Sequence, residues 1–292
     1  MTSSHRNTLY VEQAEIVSHD AYPGEQQILR IRAPKTAANA TPGSFAHLQC
    51  DPQLPMRRPL SIMRVSPSEG WVDFLYKVVG QGTRLLARRK VGERIDLIGP
   101  IGTPFRLLPD RTRPLLMGGG VGIPPMVFLA DSLRPRLEQY RPLVLMGSEV
   151  PFPFSPRPSQ IVVPGLPDGV IGSMPLLDDW GIASRLASQQ GYAGCYEGYI
   201  TDLARAWLET LNDEARSQVA VYSCGPHPML EAVAKLAREY DLPCQVSLEE
   251  FMACGVGGCA GCAVEVNTAK GPAMKRVCVD GPVFEATSVF PS

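Results

Sequence analysis

Glu249-Glu250-Phe251-Met252-Ala253-Cys254-Gly255-Val256-Gly257-Gly258-Cys259-Ala260-Gly261-Cys262, with Cys278 after fifteen intervening residues, decides how this chain reads. The spacing is C-x4-C-x2-C-x15-C. Four thiolates so placed can surround one small inorganic core, and the first three spacings match the plant-type run of [2Fe–2S] ligands. The glycines at 255, 257, 258 and 261 permit the tight wrapping and positive φ angles that aim backbone N–H groups at sulfide. Zinc is the competing reading, but structural zinc sites favour two C-x2-C pairs and only one exists here. The metal ligands are therefore Cys254, Cys259, Cys262 and Cys278, and the rest of the chain reads as something that exchanges electrons with a cluster.

Composition bounds the frame. The chain has 292 residues, enough for two domains and a small appendage. Its net charge of −1 supplies no basic field for nucleic acid or an anionic membrane. Residues 1–7 lack the apolar core of a signal peptide, and no apolar run approaches the ~20 residues that span a bilayer. A soluble, cytoplasmic protein is expected, where eight cysteines stay reduced and Cys50, Cys195, Cys224 and Cys244 stand apart from the cluster motif.

Residues 1–108 read as a small barrel. Short β-type runs at 14–18, 27–33, 45–50, 60–65, 72–78 and 94–98 are separated by breakers such as Tyr22-Pro23-Gly24 and Thr41-Pro42-Gly43. About six antiparallel strands and one helix at 82–90 are expected. Arg57-Arg58-Pro59-Leu60-Ser61 sets a guanidinium beside a rigid turn and a small hydroxyl on a strand. Val79-Gly80-Gln81-Gly82-Thr83 ends a strand and opens a helix, so its N–H groups suit a pyrophosphate. Each pattern also occurs as an ordinary surface turn or helix cap. His5, His19 and His47 have no evident partner and read as structural or solvated.

Residues 109–248 read as a nucleotide domain with a doubly wound parallel sheet. Leu115-Leu116-Met117 runs into Gly118-Gly119-Gly120-Val121-Gly122-Ile123-Pro124-Pro125 and then a helix at 126–133. This strand, glycine-rich turn and helix let backbone approach a phosphate or a ring, although it is not G-x-G-x-x-G. Further strands are expected at 143–146, 161–163, 196–200 and 219–224, with helices at 202–210 and 228–240. Cys224-Gly225-Pro226 closes the last of these strands, which puts its thiol at the carboxyl edge where open α/β sheets bind ligands. A buried structural cysteine is the alternative. Residues 150–179 are proline-rich and read as a long excursion. Glu149 follows the second strand and could accept hydrogen bonds from a ribose, favouring NADH over NADPH; the other place to look is 185–190. Residues 249–292 form the cluster lobe.

The order of these motifs resembles the ferredoxin–NADP reductase superfamily. Within it the chain is most similar to electron-transfer subunits of two-subunit, NAD-dependent dihydroorotate dehydrogenases. The similarity rests on Arg58-x-x-Ser61, the Gly118–Gly122 turn, Cys224-Gly225-Pro226, Gly198-Tyr199-Ile200-Thr201-Asp202-Leu203, the segment from Ser247 to Cys254, and Val277 to Phe284. It implies FAD held by Arg58, Pro59, Leu60, Ser61, Gly80, Gly82 and Thr83. NAD(H) would approach Gly118, Gly119, Gly120, Gly122, Gly225 and Pro226, with Cys224 beside the hydride path. It also implies an FMN-containing catalytic partner that acts on dihydroorotate; since electrons leave at the cluster, the partner is expected near Phe251, Met252 and Val256, whose alternative is packing of the small lobe against the flavin domain. The alternatives are the same module serving another oxidoreductase (a ferredoxin-linked transhydrogenase, a sulfur reductase or a hydrogenase) or a redox sensor without turnover.

Overall fold

The computed structural model describes residues 9–291, so His5 lies outside the described residues. The first part is a closed antiparallel barrel of β1 (Tyr10–Tyr22), β2 (Gln26–Arg32), β3 (Phe45–Leu48), β4 (Arg58–Ser66), β5 (Trp71–Lys77) and β6 (Arg94–Ile101), in the order β1-β2-β5-β4-β3-β6. Period-two alternation builds it. On β1, Ala14 and Ile16 are buried while Glu15 and Val17 face solvent, and Leu29, Ile31, Phe74 and Leu97 complete the inner layer. Helix α1 (Pro34–Asn39) was not expected. It is short, and the Glu12 carboxylate accepts from Lys35 N, Thr36 N and Thr36 Oγ1 at its start. Helix α2 (Gln81–Leu86) ends before the expected residue 90.

Beyond the barrel, β7 (Arg113–Gly119), α3 (Ile123–Leu133), β8 (Leu143–Gly147), β9 (Arg157–Pro158), β10 (Gly172–Ser173) and α4 (Pro175–Asp179) follow in turn. Then come β11 (Ala183–Ser188), β12 (Tyr196–Glu197), α5 (Ile200–Thr210), α6 (Asp213–Ser217), β13 (Val219–Cys224), α7 (His227–Glu239) and β14 (Cys244–Ser247). Together with β17 (Val283–Glu285) they make a seven-stranded sheet, β12-β11-β8-β7-β13-β14-β17. All its pairings are parallel except β14 with β17. The strands are apolar on both sides because helices cover both. Leu115, Met117, Leu145 and Val221 meet α5 and α7, whereas Leu116, Val144, Met146 and Tyr222 meet α3. Chain order reverses between β7 and β13, so the switch point lies there. Phe128 of α3 reaches the barrel core and joins the two halves.

Two expected strands need correction. Residues 161–163 form none: they lie in the proline-rich excursion, and Val162 is 83% exposed with no strand beside it. The strand expected at 196–200 stops at Glu197, because Gly198 turns at φ 150 and Ile200 already begins α5. The excursion itself holds the β9–β10 hairpin and α4. It is pinned by the buried Arg185 guanidinium, which donates to the carbonyls of Val170, Ser184 and Ile161.

After β14 the chain leaves the sheet, forms the cysteine loop, and builds the hairpin β15 (Ala263–Thr268) and β16 (Gly271–Arg276). It then returns as β17 and α8 (Ala286–Val289). Among the described residues no helix is long and apolar enough to cross a membrane.

Candidate functional site

On the barrel, β4 brings Arg58 over the start of α2. A Cβ on Gly82 would lie 2.9 Å from Arg58 Nε, so the guanidinium rests directly on this glycine. The neighbouring Arg57 is neutralised by Asp96, whereas among the described residues Arg58 has no carboxylate partner and its Nη1 donates to the carbonyls of Met56 and Arg57. Gly80 faces open space. Thr83 Oγ1 accepts from Val79 N and Gly80 N, so its hydroxyl holds the turn from within. Pro59 and Leu60 carry the strand from Arg58 to Ser61, which stands opposite Phe45 of β3. Its hydroxyl has no hydrogen-bond partner among the described residues. An unneutralised guanidinium, a free hydroxyl and an open glycine turn on one barrel surface fit the phosphates and ring of a flavin dinucleotide.

At the switch point, Cys224 of β13 pairs in register with Gly118 of β7. Gly122 is pressed on the backbone behind it: a Cβ there would lie 2.2 Å from the Cys224 carbonyl oxygen. Gly119 and Gly225 are both covered by Met229. Gly120, at φ +54, has nothing within 4 Å of a Cβ position, so it is the member of the turn that offers open surface. Cys224 is fully buried, and burial first, then the nearby charge of Glu249, push its thiol well above the ordinary range. It is a neutral, inert thiol at pH 7. Glu149 is exposed past the end of β8, and Arg185, held on carbonyls, is not free for a 2′-phosphate.

The four cluster cysteines stand as two pairs. Cys262 Sγ lies 3.3 Å from Cys278 Sγ, and the Cys254 thiol feels that of Cys259 beside it. Two pairs suit two irons, one pair each, better than a single tetrahedral zinc with all four ligands about one point. Burial resists ionisation of Cys254, but the N–H groups of Val256, Cys259 and Gly258 and the Cys259 thiol outweigh it and bring that thiol down to about 6. Those N–H groups suit a thiolate, as the fit to a cluster requires. Gly255 and Gly257 take positive φ as expected, but Gly258 and Gly261 do not, and Ala260 at φ 54 takes that turn instead. Cys259 is exposed, while Cys262 and Cys278 are buried. Phe251 is 94% exposed and Val256 45%, but Met252 is buried in the main core, which removes it from the expected docking face.

Two residues escaped the sequence reading. Of the two readings given for His47 the structural one holds, but its place was not foreseen: it is 1% exposed and packs against the cysteine loop, with a Gly255 Cβ position 2.6 Å from its Nδ1. His19 is structural as read, its Nδ1 facing the Arg89 carbonyl and its Nε2 the Tyr76 hydroxyl. Glu249 lines a cavity of about 390 Å³ together with Gly225, Pro226, His227, Leu248 and Val264. Glu249 is exposed at this cavity, and partial desolvation of its carboxyl there raises its pKa. For His47 the only sequence signal was its type, whereas Glu249 stood inside the quoted stretch with no role given to it.

Residues 249–290 match the family model for the iron-sulfur cluster binding domain of dihydroorotate dehydrogenase B. The chain is 33% identical over 261 residues to the dihydroorotate dehydrogenase B (NAD(+)) electron transfer subunit of Desulforamulus reducens, covering 88% of this chain and 89% of that one. It is 35% identical over 256 residues to that of Bacillus caldolyticus, covering 85% and 86%. A solved structure reported for insights into flavin-based electron bifurcation, the NADH-dependent reduced ferredoxin-NADP oxidoreductase, superposes with a TM-score of 0.75 at 25% identity over 95% of this chain and 90% of that one. The ferredoxin reductase of carbazole 1,9a-dioxygenase shares the fold at TM-score 0.61 and 22% identity over 80% and 67%. The two thiol pairs, the flavin-shaped barrel surface and the glycine turn at the switch point thus occur in a chain that belongs to the family of dihydroorotate dehydrogenase B (NAD(+)) electron transfer subunits.

Proposed function

We propose that this chain passes electrons between NAD(H) and a catalytic partner through bound FAD and a [2Fe–2S] cluster, in the cytoplasm, and that the partner is an FMN-containing dihydroorotate dehydrogenase subunit. The observation that carries the reading is the paired arrangement of Cys254 with Cys259 and Cys262 with Cys278 in a chain that also presents an unneutralised Arg58 and an open Gly120. Nicotinamide exchanges hydride whereas a cluster takes single electrons, and a bound flavin supplies the chemistry that joins the two.

The chain's own residues supply position. Arg58 holds the flavin phosphates over Gly82, with Pro59 and Leu60 as the floor and Ser61 donating towards the ring. Gly80 leaves room, and Thr83 keeps the turn. Gly118, Gly119 and Gly122 bring backbone close at the switch point, Gly120 opens towards the nicotinamide nucleotide, and Gly225 and Pro226 wall the far side. Cys224 stays protonated beside the hydride path. Glu149, exposed past the end of β8, favours NADH. The three units are residues 1–108 for flavin, 109–248 for NAD(H) and 249–292 for the cluster, the last strand of which is added to the nucleotide sheet.

Electrons leave or arrive at the exposed end of the cluster loop. Phe251 and Val256 stand there as apolar surface that a partner would cover. The barrel, sheet and cluster lobe account for the described residues, and a (β/α)8 dehydrogenase needs about 250 more. The chain alone should therefore leave dihydroorotate untouched. The test is reconstitution of the purified chain with NAD⁺ and dihydroorotate, with and without the FMN-containing subunit from the same cell. Turnover by the chain alone sinks the assignment. The likeness to the ferredoxin-NADP oxidoreductase chain favours a second reading, the same module in a ferredoxin-linked transhydrogenase. Failure of the dehydrogenase subunit to bind would select it.

A further inference from the structure

We propose that His47 is a positioning residue that seats the cysteine loop on the flavin barrel and so fixes how the cluster stands towards the flavin. The inference rests on the reading above, that the chain holds both groups. His47 lies on β3, where its register partners are Pro59 of β4 and Ile98 of β6. Pro59 sits between Arg58 and Ser61, the residues assigned to flavin phosphates and ring. On its other side the imidazole lies against Gly255, next to the ligand Cys254. A Cβ at Gly255 would be 2.6 Å from Nδ1, 3.2 Å from Cγ and 3.3 Å from Cε1, so the loop's backbone rests directly on the ring. One side chain thus touches the loop next to the first ligand and stands opposite the flavin strand.

The ring is also under-used by everything else. It is 1% exposed, and neither nitrogen makes a well-aligned hydrogen bond. Burial holds the ring neutral, while the backbone of Cys254 and Met252 favours a ring proton. A buried polar ring is costly to leave unsatisfied and persists where its surroundings need it. Here the backbone next to the ring belongs to the first cluster ligand, Cys254, and to Met252 just before it. Barrel packing alone would be met by an apolar residue, as it is at Ala46 and Leu48 on either side.

The test uses the full chain with flavin and iron bound. His47→Ala removes the seat, and His47→Gln keeps a donor at the same place. Three readouts apply: the rate of iron release to a chelator, hydrogen exchange at amides 253–258, and the electron paramagnetic resonance spectrum and midpoint potential of the reduced cluster. His47→Ala should release iron about tenfold faster, the equivalent of losing one hydrogen-bond-sized contact. It should also lose protection across 253–258 and shift the spectrum, with flavin content unchanged and His47→Gln nearer the wild type. Iron release within twofold of wild type with an unaltered spectrum overturns the proposal. So does loss of flavin together with iron, because a loop seat leaves the barrel intact. A wild-type chain without flavin or without iron would instead refute the functional reading.

Discussion

The glycines after β7 share one motif but do different jobs, and alanine at each should separate them. Gly122 has an ordinary backbone, φ −84 and ψ −3, so alanine there is unstrained conformationally. Its Cβ, however, would lie 2.2 Å from Cys224 O, 2.3 Å from Cys224 C and 2.5 Å from Gly225 N. These are backbone atoms at the end of a paired strand and cannot swing away. Relief requires β7 and β13 to part by about 1 Å, at roughly 1–3 kcal/mol for overpacking and about 1 kcal/mol for a lost ladder bond. Gly122→Ala should therefore cost about 2–4 kcal/mol, or roughly 5–15 °C in a domain of this size. Gly120 is the converse case. It meets nothing, but its φ of +54 makes alanine pay about 1–2 kcal/mol of left-handed strain. Gly120→Ala should fold well and lose NADH affinity, because its new methyl occupies the approach surface. Gly119→Ala, facing the movable end of Met229 at 2.4 Å, should be the mildest for stability. Urea unfolding and NADH titration of the three flavin-loaded variants decide it. If Gly122→Ala is as stable as wild type, or Gly120→Ala the less stable of the two, the reasoning from backbone contact is wrong.

Cys259→Ser should lose most visible cluster absorbance while the flavin stays bound, since that ligand is exposed and far in sequence from the barrel motifs; concurrent flavin loss would contradict separate sites. Arg58→Ala should weaken flavin binding about ten- to a hundred-fold, the worth of a charge-assisted bond of roughly 1.5–3 kcal/mol, and unchanged flavin after extensive dialysis would remove Arg58 from the site. Alkylation of the holo chain at pH 8 should spare Cys50 and Cys244, whose thiols burial pushes up to about 11 and about 12, and label the half-buried Cys195 first by mass spectrometry. The sign for stability follows. The folded thiols keep protons that the unfolded chain loses above about 8.5, so their contribution is intact below that pH and is lost as pH climbs towards 11–12.

What could be read from the sequence was what repeats locally. The barrel strands are short β-type runs, clearly alternating on β1, and their turns carry Gly and Pro, so six strands were visible one at a time. Ala183–Ser188 was not, because it has no β-branched or aromatic residue and is a strand only through its position beside β8. Ile161 to Val163 is the mirror case, strand-like in residue type but with no strand to join. The cysteine spacing was legible because ligand geometry constrains sequence distance. His47 was not, because its partner Gly255 is brought to it only by the fold. Ala260 shows the same limit: the loop needed a left-handed residue near Cys259, and composition alone pointed to the wrong neighbours.

That long-range contact belongs to a wider pattern in how the cluster lobe is attached. On the sheet side, β17 bonds to β14, and Leu248 N donates to the Pro282 carbonyl. On the barrel side, a Cβ on Gly102 would lie 2.4 Å from Pro282 Cδ, and one on Gly43 would lie 2.9 Å from Val283 Cγ2. Gly255 meets His47 between these two flanks. Arg106 N and O bond both ends of the Gln245 amide, tying the segment after the barrel to β14 itself. The lobe is thus tied to both neighbouring units, by β17 to the nucleotide sheet and by Gly255 and Pro282 to the barrel. If the proposed cluster and flavin are bound, these ties set the cysteine loop against the barrel, with the exposed Cys259 on the side open to a partner.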